Sequence, residues 1–167
     1  MNDASTESTI RLARAADAAP MAALSRDLIE AGLGWKYTPN RIAELIHDRQ
    51  TVALVACAGS GEPSPLVLRG LAVMHFDDEQ AHLMLLCVGQ EHQRRGLGRQ
   101  LLDWLLKSAR VAGIAAVQLE LRADNGSALD FYRRFGFIET QRVPDYYDRG
   151  IDARRMRLAL RRPIAQD

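Results

Sequence analysis

The sequence predicts an α/β fold of the α+β type: a mixed, mostly antiparallel sheet of six to seven strands with helices on both faces. Short apolar runs rich in β-branched residues, such as TVALVACA and AHLMLLCV, are typical of buried strands. Apolar residues recur at helical spacing over residues 95–112 between two such runs, which predicts a β-α-β unit with parallel strands. Without an internal repeat or interdomain linker, we expect one domain at 9–160, between a flexible N-terminus, 1–8, and a tail, 161–167.

The first half of the chain predicts a strand, two helices and three further strands. After a strand at residues 9–14, Asp17 is expected to cap a helix that runs to residue 31. In YTPNRIAELIHD, Thr38 is the expected cap of a second helix, with Pro39 in its first turn. The three strands that follow cover residues 51–58, 66–76 and 81–88.

The second half predicts two helices alternating with strands. The helix at 95–112 ends before Gly113, where glycine suits a helix stop. The later elements are a strand at 115–122, a helix at 127–135 and strands at 137–142 and 154–160. The predicted order is therefore β-α-α-β-β-β-α-β-α-β-β.

Composition argues against several functional classes. A formal net charge of +1 over 167 residues gives no reason to expect nucleic acid as a partner. Cys57 and Cys87 lack C-x-x-C spacing, and the four histidines lack metal-ligand spacing. No apolar run reaches the length of a membrane span, and the polar start is unlike a signal peptide. We expect a cytoplasmic protein without a metal, a membrane contact or a nucleic-acid partner.

A basic, glycine-rich turn, QRRGLG, precedes the predicted helix 95–112. It does not fit G-x-G-x-x-G, because Leu101 holds the third glycine position, and it does not fit a P-loop, because Arg99 follows Gly98. Backbone N–H groups and the helix dipole nevertheless suit such a turn to phosphate. Taken alone, the turn either binds a phosphate or only begins a helix.

A strand glutamate, an asparagine turn and a helical tyrosine follow in LELRADNGSALDFYRRFGF. Strand alternation places Glu120 and Arg122 on one face, either as an ion pair at the sheet rim or with Glu120 in a functional role. Asn125 begins the next helix, and Tyr132 lies about two turns into it. A lone tyrosine at such a position is by default a core residue, but here it follows the other two in order.

This order resembles the GNAT superfamily of acetyl-CoA-dependent N-acetyltransferases, over most of residues 9–160. QRRGLG is similar to the family's pyrophosphate signature, and ADNGSALDFYRRFGF is similar to its second signature. LELRADN with VPDYYDRGIDARRMRLAL is most similar to the ribosomal-protein alanine N-acetyltransferase group. That group has N-Y-Y where this chain has DYY, and its first helices differ. The resemblance therefore implies a GNAT-like fold, acetyl-CoA as co-substrate and a homodimer, but the acceptor is either a peptide N-terminus or a small amine.

The resemblance also implies roles for single residues. Glu120 is the implied base and Tyr132 the implied acid. The implied coenzyme contacts are a strand edge, the phosphate loop and an asparagine: Leu86, Cys87, Val88, Gln93, Arg94, Arg95, Gly96, Leu97, Gly98, Arg99 and Asn125. Three aromatic residues in predicted loops either line the acceptor site or only pack: Trp35, Tyr146 and Tyr147.

Acetyl transfer to an amine needs a base for the amine proton and an acid for the departing thiolate. His82 is a rival base, but its place six residues before the strand end puts it at the strand's far edge. Cys87 could accept the acyl group, although its apolar run favours an inert core thiol. The alternative function is a non-catalytic acyl-CoA-binding regulatory module, which would need neither Glu120 nor Tyr132.

Overall fold

A computed structural model describes residues 7–59, 67–147 and 150–161. The helices are α1 (Ala18–Leu28), α2 (Pro39–His47), α3 (Leu97–Val111) and α4 (Gly126–Arg134). The strands are β1 (Ser8–Leu12), β2 (Thr51–Ala58), β3 (Leu68–Phe76), β4 (Gln80–Val88), β5 (Ala116–Arg122), β6 (Ile138–Tyr147) and β7 (Ile151–Ala159). Their order along the chain confirms the predicted β-α-α-β-β-β-α-β-α-β-β sequence.

The strands form a seven-stranded sheet in the order β1-β2-β3-β4-β5-β7-β6. β1 with β2, β2 with β3, β5 with β7 and β6 with β7 are antiparallel. β4 and β5, which α3 connects, are parallel. The mixed, mostly antiparallel sheet is therefore confirmed, whereas helices on both faces stay a prediction.

The chain divides into two compact units, the first comprising Met1–His75 with Met84–Lys107 and the second Phe76–Leu83 with Ser108–Asp167. The predicted domain at residues 9–160 stays a prediction. Of the predicted termini, residues 1–6 and 162–167 lie outside the described residues.

In the first unit, α1 and α2 supply one side of an apolar cluster with β2, β3 and β4. Met21, Ile42, Val55 and Leu71 are fully buried in it. The capping role of Thr38 is confirmed, because its Oγ1 accepts from Arg41 N at 3.4 Å and Pro39 opens α2. These contacts hold the two helices on the strands that lead towards the glycine turn.

In the second unit, the residues of β5 alternate between buried and intermediate exposure. Val117, Leu119 and Leu121 are buried, while Gln118 and Glu120 on the other face are partly exposed. The predicted alternation is therefore confirmed. It leaves a polar row on one face of a strand that carries core residues on the other.

Two local expectations need correction. Asp17 does hold the N-cap position of α1, but it gives the helix no side-chain bond, because its carboxylate accepts from Arg11 Nη1 at 2.7 Å and from Arg14 N at 2.7 Å. Tyr146 and Tyr147 do not lie in a loop but end β6, which continues five residues past the predicted end at residue 142. β6 is an edge strand, where Pro144 is tolerated because its missing N–H removes no internal ladder bond.

No helix among the described residues is long and apolar enough to cross a membrane.

Candidate active site

Polar side chains form a row across one face of β4, β5, β7 and β6. The Cα partners in this row are His82 with Gln118, Glu120 with Arg155, and Arg155 with Gln141. Partners directly opposite on neighbouring strands point to the same face of a sheet. The register therefore brings five polar residues together on one face of these four strands.

Glu120 lies at the centre of this row and is bonded on both oxygens. His82 Nε2 lies 2.5 Å from Glu120 Oε2, while Arg155 Nε donates to Oε1 at 3.0 Å and Gln118 Nε2 donates to Oε1 at 3.3 Å. Burial raises the pKa of the carboxyl, but the bonds to His82, Arg155 and Gln118 outweigh it and lower that pKa to about 2. Glu120 is therefore a carboxylate at neutral pH. Its alternative pairing with Arg122 is wrong, because Arg122 pairs with Asp124.

His82 does not lie at a distant edge as the sequence suggested. The parallel register sets the start of β4, Gln80–His82, beside the start of β5, Ala116–Gln118, so that His82 lies opposite Gln118 and two residues before the level of Glu120. His82 thereby reaches Glu120 with a side chain that is 41% exposed, against 7% for the glutamate. A histidine on the polar face of AHLMLLCV was the available signal, but the register between the two strands could not be predicted from the sequence.

Tyr146 extends the polar row at the end of β6. Burial and the negative charge of Glu120 raise the pKa of its phenol, and Arg155 opposes this. The side chain remains 41% exposed, and its ring lies 4.9 Å from that of Tyr147 in an edge-on contact. Asp145 has a φ of 50°, which re-aims the strand before these tyrosines. Two of the predicted acceptor residues thus lie in the same unit as Glu120.

Asn125 and Tyr132 are held by α4. Asn125 Oδ1 accepts from Ala128 N at 3.0 Å and so caps the helix. Tyr132 is 8% exposed, with its ring packed edge-on against Phe131 and Phe137. Both residues have a structural role here, and their roles towards coenzyme and leaving group stay predictions.

The glycine turn leads directly into α3. Gln93 Nε2 donates to Val88 O at 2.9 Å, which ties the turn to the end of β4. Arg94 and Gly96 have φ angles of 62° and 80°, and helix α3 begins at Leu97, two residues later than predicted. A Cβ at Gly96 would meet nothing within 4 Å, so the left-handed φ rather than crowding favours glycine there. Such a turn presents first-turn backbone N–H groups that have no helical partner.

The charged residues of the turn are exposed. Arg94, Arg95 and Arg99 all lie at the surface, and Arg99 forms only a 3.8 Å contact with Asp103. These guanidinium groups and the start of α3 fit a diphosphate. A cavity of about 270 Å³ borders the turn and is lined by Glu7, Ser8, Arg69, His92, Arg95, Leu97 and Gln100.

Cys87, between Leu86 and Val88 on β4, is not a ready nucleophile. Burial raises the pKa of its thiol to about 12, so that the thiolate is scarce at neutral pH. Its carbonyl oxygen faces Gly70 of β3, where a Cβ would lie only 2.9 Å away. The core-thiol interpretation is therefore favoured over acyl acceptance.

Trp35 lies between α1 and α2 and is 43% exposed. The Arg26 guanidinium sits 5.4 Å from the centre of its ring. Glu30, only 6% exposed, anchors the same segment by accepting from Lys36 N at 2.6 Å and from Tyr37 N at 3.2 Å. Sequence reasoning missed this glutamate. A side chain that accepts hydrogen bonds from backbone N–H groups leaves no periodic pattern in the sequence, so no signal pointed to Glu30.

The described residues contain no group of three or more His, Cys, Asp or Glu side chains suited to a metal.

The chain is similar to several known proteins. Residues 38–160 match the family described as acetyltransferase (GNAT) domain. The ribosomal protein bS18-alanine N-acetyltransferase of Escherichia coli strain K12 is 38% identical over 69 residues, which is 41% of this chain and 47% of that protein. N-alpha-acetyltransferase 30 of Xenopus laevis is 28% identical over 155 residues, 93% of this chain and 56% of that protein. The chain spans about half the length of these curated relatives.

The same fold is found among solved structures. The crystal structure of the ribosomal-protein-S18-alanine N-acetyltransferase from Escherichia coli matches with a TM-score of 0.75 and 25% identity. The match covers 95% of this chain and 97% of that one.

Proposed function

Because the chain belongs to the GNAT family of acetyltransferases, we propose that it transfers an acetyl group from acetyl-CoA to a primary amine by direct transfer in a ternary complex. The observation that carries the proposal is the pair of His82 and ionised Glu120 on an accessible face of the sheet. A module that only bound acyl-CoA would have no need of a proton-accepting pair. This favours the enzyme over the binding module.

The proposed acceptor is a protein N-terminal α-amine. The bS18-alanine N-acetyltransferase and N-alpha-acetyltransferase 30 are both named for such acceptors. An α-amine with a pKa near 8 is about 10% neutral at pH 7, whereas a lysine amine with a pKa near 10.4 is less than about 0.1% neutral. The aromatic rings of Tyr146 and Tyr147 at the end of β6, and of Trp35 after α1, are the proposed acceptor contacts.

Acetyl-CoA would supply the activated acyl group, and residues of this chain would bind it. The exposed arginines of the turn and the first turn of α3 are the proposed diphosphate contacts, and Leu86–Val88 and Asn125 the proposed contacts to the rest of the molecule. Tyr132 is the proposed acid, because a phenol with an ordinary pKa near 10 stays protonated at pH 7 and can donate to a departing thiolate. The cytoplasmic location and a homodimer stay predictions.

Release of free thiol from acetyl-CoA, measured with peptides of varied N-termini, polyamines and aminoglycosides, tests the proposal. We expect release with a subset of peptides and a melting temperature that rises with acetyl-CoA concentration. Release with polyamines or aminoglycosides alone would move the acceptor to small amines. A rise in melting temperature without release on any acceptor would favour the binding module.

A further inference from the structure

The two members of the His82–Glu120 pair are unequal in exposure. Glu120 is 7% exposed and accepts from Arg155 Nε and Gln118 Nε2 on Oε1, while Oε2 faces His82 Nε2. The His82 side chain is 41% exposed. An incoming amine therefore meets the imidazole more readily than the carboxylate.

The charge on Glu120 fixes which nitrogen of His82 carries a proton. An ionised carboxylate only accepts hydrogen bonds, so the contact between Oε2 and Nε2 requires a proton on Nε2. In the neutral ring, the lone pair is then on Nδ1. Among the described residues, Glu120 is the only recorded polar partner of this ring.

His82 also lies where the pairing of β4 with β5 ends. It is the last β4 residue paired with β5, opposite Gln118 and two residues before the level of Glu120. A side chain at the end of a ladder has one strand neighbour fewer, which explains how a strand residue keeps so much exposure. The glutamate behind it also accepts bonds from two other side chains, Arg155 and Gln118, which hold it in place behind the imidazole.

We propose that Nδ1 of His82 accepts the proton of the acceptor amine and that Glu120 is a positioning residue that holds the imidazole in this tautomer. The proposal rests on the proposed acetyl transfer. The amine lone pair forms a C–N bond to the carbonyl carbon as the C–S bond breaks. The amine proton passes to Nδ1, the departing sulfur takes the phenolic proton of Tyr132, and the imidazolium and phenolate return to their starting states through solvent.

Chemical considerations favour proton transfer to His82, with Glu120 as its positioning residue, over proton transfer to Glu120 itself. A general base works best when its pKa lies near the working pH, and the pKa of Glu120, about 2, lies far below it. Both carboxylate oxygens of Glu120 already accept hydrogen bonds. An orienting carboxylate behind an imidazole stabilises the imidazolium that forms without becoming protonated.

The test compares His82→Ala, His82→Gln, Glu120→Gln and the double variant His82→Ala/Glu120→Gln with the unchanged chain, on an acceptor that supports thiol release. We expect His82→Ala to lower kcat by about 10²–10³-fold. His82→Gln should lose as much, because the introduced amide can still donate to Glu120 but is no base. Added imidazole should raise the rate of His82→Ala with increasing concentration, which a structural role would not produce. His47→Ala, an exposed histidine on α2, is the control and should be unaffected.

The double variant separates the two roles. If Glu120 acts through His82, the double variant should match His82→Ala, and Glu120→Gln alone should lose less. Full activity of His82→Gln, or a double variant that matches Glu120→Gln while His82→Ala stays active, would overturn the proposal. The melting-temperature rise with acetyl-CoA should persist in every variant. Absence of thiol release by the unchanged chain would instead contradict the proposed function.

Discussion

Arg155 donates from Nε to Glu120 Oε1 at 3.0 Å and from Nη1 to Gln141 Oε1 at 2.9 Å. Because Arg155 is on β7, its guanidinium links β5 to β6 across the strand between them. The same side chain neutralises the buried carboxylate that holds His82. One arginine thus joins the edge strand, whose tyrosines are proposed acceptor contacts, to the proposed proton-transfer pair.

Replacement of Arg155 should therefore lower the free energy of unfolding. Arg155→Met leaves Glu120 without its cationic partner, and we expect the free energy of unfolding to fall by about 1–3 kcal/mol. Arg142→Met is the control, because Arg142 pairs with Asp152 at a more exposed site and such pairs contribute about 0–1 kcal/mol. Urea unfolding of both variants measures the difference. Equal losses would contradict a special role for Arg155.

The depressed pKa of Glu120 predicts a specific pH dependence of stability. Its folded-state pKa is about 2, against an ordinary value of 4.5. The carboxylate's contribution is therefore complete above pH 4.5 and is lost as pH falls towards 2. The difference in free energy of unfolding between the unchanged chain and Glu120→Gln should shrink across this window. A difference that is constant from pH 6 to pH 2 would show that the bonds to Glu120 do not favour its ionised form.

Most elements could be predicted because their apolar residues follow a clear period. In α3, Leu101, Leu102, Leu105, Leu106 and Ala109 recur at helical spacing and are all buried. The strand TVALVACA was predicted with its observed bounds. The face on which a strand residue lies can be predicted from its sequence neighbours alone. For this reason Glu120 was correctly placed on a strand face.

What the sequence could not supply is register between strands. The contact of His82 with Glu120 depends on the parallel pairing of β4 with β5 and on its register, which no local pattern encodes. The length of β6 was underestimated because Pro144 and Asp145 are turn formers, and they are accommodated here by an edge position and a register shift. Long-range pairing overrides the local signal at both places.

The close packing around Gly70 predicts that a larger side chain there lowers stability, and Gly126 serves as the control glycine. A Cβ at this position would lie 2.9 Å from the Cys87 carbonyl oxygen and 3.3 Å from Leu101 Cδ1. Because backbone cannot yield as a flexible side chain does, Gly70→Ala should destabilise by about 1–3 kcal/mol. Gly126→Ala, where nothing lies within 4 Å, should be neutral or stabilise by about 0.4–1 kcal/mol. Thermal unfolding distinguishes them, and a neutral Gly70→Ala would contradict the close approach of β3 and β4.

The arginines of the turn should govern affinity for acetyl-CoA. Arg94→Ala and Arg95→Ala each remove a cation proposed to meet the diphosphate, and a charged hydrogen bond contributes about 1.5–3 kcal/mol, or roughly ten- to a hundred-fold in Kd. Arg110→Ala, an exposed arginine at the other end of α3, should leave Kd unchanged. Isothermal titration with acetyl-CoA at two salt concentrations measures both effects. If all three variants bind acetyl-CoA as tightly as the unchanged chain, the turn only begins a helix.

Tyr132→Phe separates the proposed acid from the packing role of the same ring. Phenylalanine keeps the edge-on contacts with Phe131 and Phe137, which lie at 5.2 and 5.6 Å between ring centres. We therefore expect acetyl-CoA binding to be retained, while kcat falls by about 10²-fold because the departing thiolate loses its proton donor. The loss should be smaller at high pH, where a thiolate with an ordinary pKa near 8.5 leaves without protonation. Full turnover by Tyr132→Phe at neutral pH would remove this residue from the reaction and leave it a core tyrosine.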